Sequence, residues 1–125
     1  MTAPRRWQPF DRSHLDAMIG RVQPPWKHAG EQVCPACGAR ALRYFAHPGE
    51  RFGRPILFSY RWCANCRRFT GATGPRPDGL TFTEPLSRQE IDETDGVSGL
   101  LDLLDRMWDE GTLPQSFTMS GRGLR

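Results

Sequence analysis

All four cysteines of the 125-residue chain lie in two CxxC motifs. The first motif, CPAC, contains Cys34 and Cys37 and is followed by Gly38, and the second, CANC, contains Cys63 and Cys66. Each motif places two thiolates on one tight turn, and 25 residues separate the two motifs. Two such turns can form a tetrahedral four-thiolate site, the ligand set and geometry that suit structural zinc. We therefore predict that these four cysteines bind one Zn²⁺ ion.

Other chemistries of paired cysteines fit the sequence less well. Two disulfides require an oxidising compartment, but the N-terminal stretch MTAPRRWQPFDR has no apolar run typical of a secretion signal. A redox-active CxxC of the thioredoxin type uses a single motif within a βαβ pattern, which this sequence lacks. Iron bound by four thiolates, as in rubredoxin, has compatible spacing and remains an alternative to zinc.

A four-cysteine site leaves the metal no open position for water or substrate, so we expect a structural rather than a catalytic role. The sequence also contains no phosphate-binding loop and no Ser–His–Asp arrangement. We therefore predict that the protein is not an enzyme. No apolar run is long enough for a membrane-spanning helix, so we expect a cytoplasmic protein with no membrane partner.

Composition predicts one small, loop-rich domain. A length of 125 residues fits a single domain, hydrophobic residues make up only 38%, and the chain contains 13 Gly and 11 Pro. The sequence pattern divides this domain into four segments. They are an N-terminal arm with a short helix (residues 1–32), a β core (33–83), an acidic helical segment packed on the core (84–114) and a flexible tail (115–125).

Alternating side chains predict the strands of the β core. Residues 42–46 and 56–62 alternate in this way, and the second run leads directly into Cys63. The intervening segment HPGERFGR is predicted to be a long polar hairpin tip. The segments RRFTGAT and LTFT predict a third and a fourth strand on either side of the turn PRPDG.

Helices are predicted on both sides of the core. Ser13 is expected to cap a helix at residues 13–19, and the capping box formed by Ser87 and Glu90 is expected to start a second helix. An apolar stripe at helical spacing follows and is expected to pack on the sheet or on a second copy of the chain. Its members are Val97, Leu100, Leu101, Leu104, Met107 and Trp108. The predicted fold class is a small α+β domain with an antiparallel sheet and flanking helices, the main one C-terminal.

The charges of the chain are unevenly distributed. Residues 1–80 contain 13 Lys or Arg and 5 Asp or Glu, whereas residues 81–110 contain 2 Arg and 9 Asp or Glu. The β core is therefore basic and the helical segment that follows it is acidic. This asymmetry indicates two candidate interaction surfaces of opposite sign.

Each charged surface implies a different partner. A basic protein partner would meet the acidic segment and three aromatic residues expected to be exposed, Trp7, Phe10 and Trp26. The candidate partner-binding carboxylates are Asp102, Asp105, Asp109 and Glu110. Nucleic acid would instead contact the arginines of the core through its phosphates. The candidate residues for that role are Arg40, Arg43, Arg61, Arg67 and Arg68. The acidic segment counts against nucleic acid, since it repels phosphate unless it faces away.

Two resemblances add to this prediction. The knuckles VCPACG and CANC with the hairpin between them resemble zinc ribbons and rubredoxin-like knuckles over about 50 residues, which implies a zinc-ribbon β-sheet. The segments WCANCRRFTGATGPRPDGLTFTEPL and LLDLLDRMWDEGTLPQSF are similar to small actinobacterial zinc-ribbon proteins of toxin–immunity neighbourhoods. That similarity implies a non-catalytic immunity protein that neutralises a toxin by binding it. The acidic helix would suit a basic toxin. The alternative is a zinc ribbon that binds DNA or RNA.

Overall fold

A computed structural model describes residues 6–120, which form seven strands and three helices. In chain order these are β1 (Gln8–Pro9), α1 (Arg12–Met18), β2 (Gln32–Val33), β3 (Arg40–Arg51), β4 (Arg54–Cys63), β5 (Arg68–Pro75), β6 (Leu80–Phe82), α2 (Arg88–Asp92), α3 (Gly96–Asp109) and β7 (Phe117–Met119). A five-stranded sheet has the order β1-β5-β4-β3-β2, and β6 pairs with β7 in a second sheet. The large sheet is antiparallel except where β1 pairs with β5. The predicted small α+β class is confirmed.

The β3–β4 hairpin is longer than the sequence indicated. Its strands stay paired up to a two-residue turn formed by Phe52 and Gly53. The expected long polar tip at residues 47–54 is therefore wrong. Gly49 accounts for the difference, because the ring of Phe58 packs against it and an added Cβ would collide with that ring. Glycine is typical of turns, but Gly49 lies within a paired strand, where it leaves space for the Phe58 ring.

The predicted third strand is β5, and the predicted fourth strand is β6, which pairs with β7 instead of extending the large sheet. The expected flexible tail is thus wrong for residues 115–120, and residues 121–125 lie outside the described residues. The buried Gln115 side chain accepts a hydrogen bond from the Ala46 N–H at 2.9 Å and donates to the carbonyls of Ala46 and Thr83 at 2.8 Å. Strand β2 pairs only with the start of β3. The Gln115 amide therefore bonds backbone groups of Ala46 at a part of the β3 edge that β2 does not reach.

Local side-chain contacts determine where the first two helices begin. Helix α1 has Asp11 rather than Ser13 at its N-cap, two residues earlier than expected, and the Asp11 N–H donates to His14 Nδ1 at 3.2 Å. The capping box of α2 is confirmed, because Ser87 Oγ accepts from the Glu90 N–H and Glu90 Oε1 accepts from the Ser87 N–H. None of the three helices within residues 6–120 has the length and apolar character needed to cross a membrane.

Helix α3 packs its apolar stripe across one face of the large sheet. The buried part of the stripe consists of Leu100, Leu101, Leu104 and Met107. Phe45 and Trp62 of the sheet lie in the same core, and the ring of Trp108 meets that of Trp62 edge-on with centroids 6.2 Å apart. Val97 is 42% exposed, so the stripe begins one turn later than predicted. The expected packing of the stripe on the sheet is otherwise confirmed.

Three aromatic residues of the N-terminal third, Trp7, Phe10 and Trp26, were expected to be exposed, but the structure buries them fully or in part. Trp7 and Phe10 are 8% and 6% exposed, and Trp26 is partly buried against a second core that contains Tyr44. The cause is the pairing of β1 with β5, in which the Phe10 N–H donates to the Phe69 carbonyl at 2.8 Å. This pairing places the N-terminal arm on the sheet, where its aromatic rings contribute to the core.

The packing of α3 predicts a large stability effect at Leu104, whose side chain is fully buried. We expect Leu104→Ala to lower the free energy of unfolding by about 2–5 kcal/mol because it leaves a cavity between helix and sheet. Val97→Ala on the same helix is the control and should cost less than about 1 kcal/mol. Chemical denaturation followed by circular dichroism measures both values, and equal costs would contradict this packing.

Candidate metal centre

The two CxxC motifs form turns of the same geometry at one end of the large sheet. In the first turn the Gly38 N–H donates to the Cys34 carbonyl at 2.9 Å, and in the second the Arg67 N–H donates to the Cys63 carbonyl at 2.9 Å. Gly38 and Arg67 both have positive φ angles, of 78° and 61°. Glycine is the residue that normally takes this conformation. Arg67 therefore takes a backbone conformation in the second turn that favours glycine.

The four sulfur atoms lie around a common point. Cys34 Sγ is 3.8 Å from Cys66 Sγ, Cys37 Sγ is 3.6 Å from Cys63 Sγ, and all four sulfur atoms lie within 4.8 Å of one another. A tetrahedral zinc with Zn–S bonds of about 2.3 Å requires sulfur atoms about 3.8 Å apart. The four cysteines are thus arranged to bind one metal ion, and the short distances join one turn to the other.

Hydrogen bonds to sulfur support the thiolate form. The N–H groups of Ala36 and Cys66 each donate to the first cysteine of their own turn at 3.4 Å, and Asn65 Nδ2 donates to Cys37 Sγ at 3.3 Å. Burial alone would raise the pKa of Cys37, but hydrogen bonds, above all the one from Asn65, outweigh burial and lower this pKa to about 7. The exposed Cys37 thiol therefore deprotonates more readily than the buried thiols of Cys34 and Cys63, whose pKa values are raised.

The inner side of the centre is apolar. Cys34 and Cys63 are 1% and 0% exposed and pack with Phe10 and Leu42 in a small core. Burial raises the pKa of the Cys34 and Cys63 thiols in the metal-free chain. A metal ion that binds here must displace their protons, so we expect its affinity to fall in acid.

Comparisons with known proteins do not place the chain in a family. Scans against protein-family models, curated proteins and solved structures find no significant match. The support for a function therefore comes from the four-thiol geometry and from the contacts around it.

The sequence-predicted acidic and basic residues meet each other beside the metal centre. Arg43 of β3 donates to Asp105 Oδ1 at 2.8 Å and forms an ion pair with Asp109, whose Oδ1 lies 3.1 Å from the Arg43 Nη2. Arg67, in the second metal-binding turn, donates to Asp102 Oδ1 at 3.1 Å and lies 3.7 Å from Asp105 Oδ2. Three candidate partner-binding carboxylates and two candidate phosphate-binding arginines thus pair across the boundary between α3 and the sheet.

Two indole N–H groups complete this pairing. Trp62 Nε1 donates to Asp105 Oδ1 at 2.9 Å, and Trp7 Nε1 donates to Asp102 Oδ1 at 2.7 Å. The guanidinium of Arg67 lies 3.8 Å above the Trp7 ring. We call this group of contacts the charged seam; it consists of Glu31, Arg43, Arg67, Asp102, Asp105 and Asp109 with Trp7 and Trp62.

Arg43 is the most buried cation of the charged seam, and its side chain is 11% exposed. Burial alone would lower its pKa, but the hydrogen bond to Glu31 and the charge of Asp105 outweigh burial and raise it. Arg43 is therefore charged in the folded protein, and Glu31 Oε2 accepts from its Nε at 2.9 Å. The charge pattern of the sequence does not reveal which residues pair in this seam, although the i, i+3 and i+7 spacing of Asp102, Asp105 and Asp109 indicates one row on α3.

The remaining candidate residues lie apart. Arg61 stacks at 4.5 Å from the centroid of the Tyr44 ring, on the sheet face opposite α3, and donates to the Gln23 carbonyl at 3.3 Å. Arg40 and Glu110 are exposed, and Arg68 is half-buried at the start of β5. The five candidate arginines therefore form no single surface.

One metal ion per chain is the first prediction for this site. We expect Cys63→Ser to abolish stoichiometric metal binding and to unfold most of the chain, because Cys63 is a buried ligand that joins both turns. Ala64→Ser, in the same turn, is the control that should keep both. Elemental analysis and circular dichroism measure the two outcomes. Metal-free folded protein, or two disulfides in protein from a reducing cytoplasm, would contradict the prediction.

The charged seam predicts unequal effects for two of its carboxylates. The side chain of Asp105 is 17% exposed, so Asp105→Ala leaves Arg43 and the Trp62 N–H without this acceptor and should cost roughly 3–5 kcal/mol. The side chain of Asp109 is 65% exposed, and Asp109→Ala should cost no more than about 1 kcal/mol. Denaturant titration measures both, and a cost of less than about 1 kcal/mol for Asp105→Ala would contradict the prediction.

Proposed function

We propose that the chain is a non-catalytic protein-binding module stabilised by one Zn²⁺ ion. The observation that supports this most directly is the set of four thiols within 4.8 Å of one another. Four protein ligands complete a tetrahedral coordination sphere and leave no position for a substrate. The resemblance to zinc ribbons, with the tetrahedral four-thiolate geometry, favours zinc. Bound iron would colour the protein, so an absorption spectrum distinguishes the two metals.

Helix α3 is the proposed protein-binding element, but not all four candidate carboxylates are accessible to a partner. Asp105 is largely buried in the charged seam and is not free for a partner. The side chains of Asp102 and Asp109 are 61% and 65% exposed, although Asp102 accepts a hydrogen bond from Arg67 and Asp109 forms an ion pair with Arg43. Glu110 is exposed at the helix end. A partner would therefore meet Asp109 and Glu110 most directly.

The charge of this region supports a basic partner. Residues 81–110 contain 9 carboxylates against 2 arginines, and Glu93 and Asp95, between α2 and α3, are exposed. Complementary charge accelerates association and selects among partners. The similarity to small zinc-ribbon proteins of toxin–immunity neighbourhoods extends the proposal to an immunity-type inhibitor, which would bind a basic toxin and cover the surface that its substrate needs.

The alternative, a nucleic-acid-binding zinc ribbon that uses the five candidate arginines, has less support. Arg43 and Arg67 bind carboxylates of the same chain, and Arg61 lies on the opposite face of the sheet. A phosphate backbone therefore cannot contact all five at once without breaking the charged seam.

The protein-binding proposal predicts that capture of the native partner depends on the C-terminal end of α3. We expect the double variant Asp109→Lys with Glu110→Lys to lose that partner, because both side chains are exposed and their reversal repels a basic surface. The control is Glu50→Lys with Asp78→Lys, which makes the same change in net charge at two other exposed positions. Affinity capture with quantitative mass spectrometry compares the three proteins, and elemental analysis confirms equal metal content. Equal capture by both variants would contradict the proposed surface.

A further inference from the structure

The two-residue turn of the β3–β4 hairpin contains an aromatic residue in an unfavourable conformation. Phe52 and Gly53 have φ angles of 52° and 74°. Positive φ at both central positions defines the tight hairpin turn in which Asn-Gly is the favoured pair. A bulky side chain such as that of Phe52 rarely adopts a positive φ. The local turn chemistry therefore does not account for Phe52.

Packing does not account for Phe52 either. Its side chain is 96% exposed, the most exposed large hydrophobic residue of the described part of the chain. An aromatic ring in water gains none of the free energy that burial would provide. Residues kept in an unfavourable backbone conformation without a structural reason often belong to binding sites.

The two arginines beside this turn are placed unfavourably as well. Arg51 and Arg54 are direct cross-strand partners, so two positive side chains leave the same face of the hairpin at one point. Like charges in directly opposed positions destabilise a sheet. Within residues 6–120 neither arginine forms an ion pair with a carboxylate. An anion between Arg51 and Arg54 would remove the repulsion.

An open groove of about 530 Å³ lies next to the turn. Arg51, Phe52 and Arg54 line it together with Ile56 of β4 and Thr73 of β5, and no carboxylate is among the lining residues. Along the strands, the groove is roughly 30 Å from the metal centre. A ligand here would therefore not touch the charged seam or the C-terminal end of α3.

We propose that this hairpin tip, Arg51 to Arg54, binds single-stranded nucleic acid. A base stacks on the exposed ring of Phe52, and the phosphates on either side of that nucleotide contact Arg51 and Arg54. An aromatic ring between two cations matches a polymer in which planar bases alternate with anions. An acidic peptide would satisfy the arginines but would provide no planar base for Phe52. This second surface is independent of the proposed protein-binding function.

Phe52→Asn is the decisive variant, because asparagine is favoured at this turn position and the fold should be kept. The probe is a fluorescently labelled oligothymidylate or oligouridylate of about 12 nucleotides, measured by fluorescence anisotropy at about 50 mM and about 200 mM salt. We expect Phe52→Asn to weaken binding by about tenfold or more while the melting temperature stays equal or rises. Phe52→Trp should bind at least as tightly as the parent protein.

The arginines are tested through the salt dependence. Arg51→Gln with Arg54→Gln should reduce the slope of log affinity against log salt by roughly 0.7 for each lost phosphate contact. Arg21→Gln with Arg40→Gln, two exposed arginines outside the tip, is the control and should leave affinity within about twofold. An equal loss in this control would overturn the proposal, since binding would then depend on net charge alone.

Three other results would also overturn it. The first is an affinity of Phe52→Asn within about twofold of the parent protein. The second is equal competition by inorganic polyphosphate, which has the charge but no bases. The third is no saturable oligonucleotide binding below about 10⁻⁴ M, including the case in which Phe52→Asn instead loses a protein partner.

Discussion

Closure of four thiols around one metal ion is the constraint on which the rest of the structure depends. The four sulfur atoms come from two turns, one between β2 and β3 and the other between β4 and β5, and all lie within 4.8 Å of one another. A single ion bound by these four thiols would therefore connect both ends of the central hairpin to its neighbouring strands. Phe10 and Leu42 pack directly against the buried ligands. The binding free energy of such a site, about 10–16 kcal/mol in small zinc modules, is comparable to the net stability of a whole domain.

The charged seam connects the second CxxC turn to helix α3. Arg67 belongs to the second metal-binding turn through its backbone and to the seam through its guanidinium, which contacts Asp102 and the Trp7 ring. The turn that holds Cys63 and Cys66 thus positions a cation against α3 and the N-terminal arm at the same time. Replacement of Arg67 by glycine would suit the positive φ of this turn but would remove the link. The arginine is explained by what it connects rather than by the conformation of the turn.

The metal ligands and most strands could be predicted from the sequence, because each signal is local. CxxC spacing determines which sulfur atoms share a turn, and alternation of side chains marks β3 and β4. The errors at residues 115–120 and in the N-terminal arm have a different physical origin. Gln115 is a polar residue buried by three hydrogen bonds to backbone groups 32 and 69 residues away, and the arm is ordered by pairing with β5. Contacts so distant in sequence leave no periodic pattern to read.

The same reasoning explains why the charge asymmetry is an incomplete guide to partners. In the sequence, a basic β core followed by an acidic helix suggests two separate binding surfaces. In the structure, α3 packs on the sheet, so that its carboxylates Asp102, Asp105 and Asp109 face two arginines of the core. These pairs differ in burial: Arg43 and Asp105 are 11% and 17% exposed, whereas Asp109, which also pairs with Arg43, is 65% exposed and keeps most of its side chain in solvent. A carboxylate such as that of Asp109 would therefore still be accessible to a partner although it is paired within the chain. Glu110 beside it and the hairpin-tip arginines Arg51 and Arg54 are exposed and form no ion pair among the described residues, so contact with them would leave the charged seam intact.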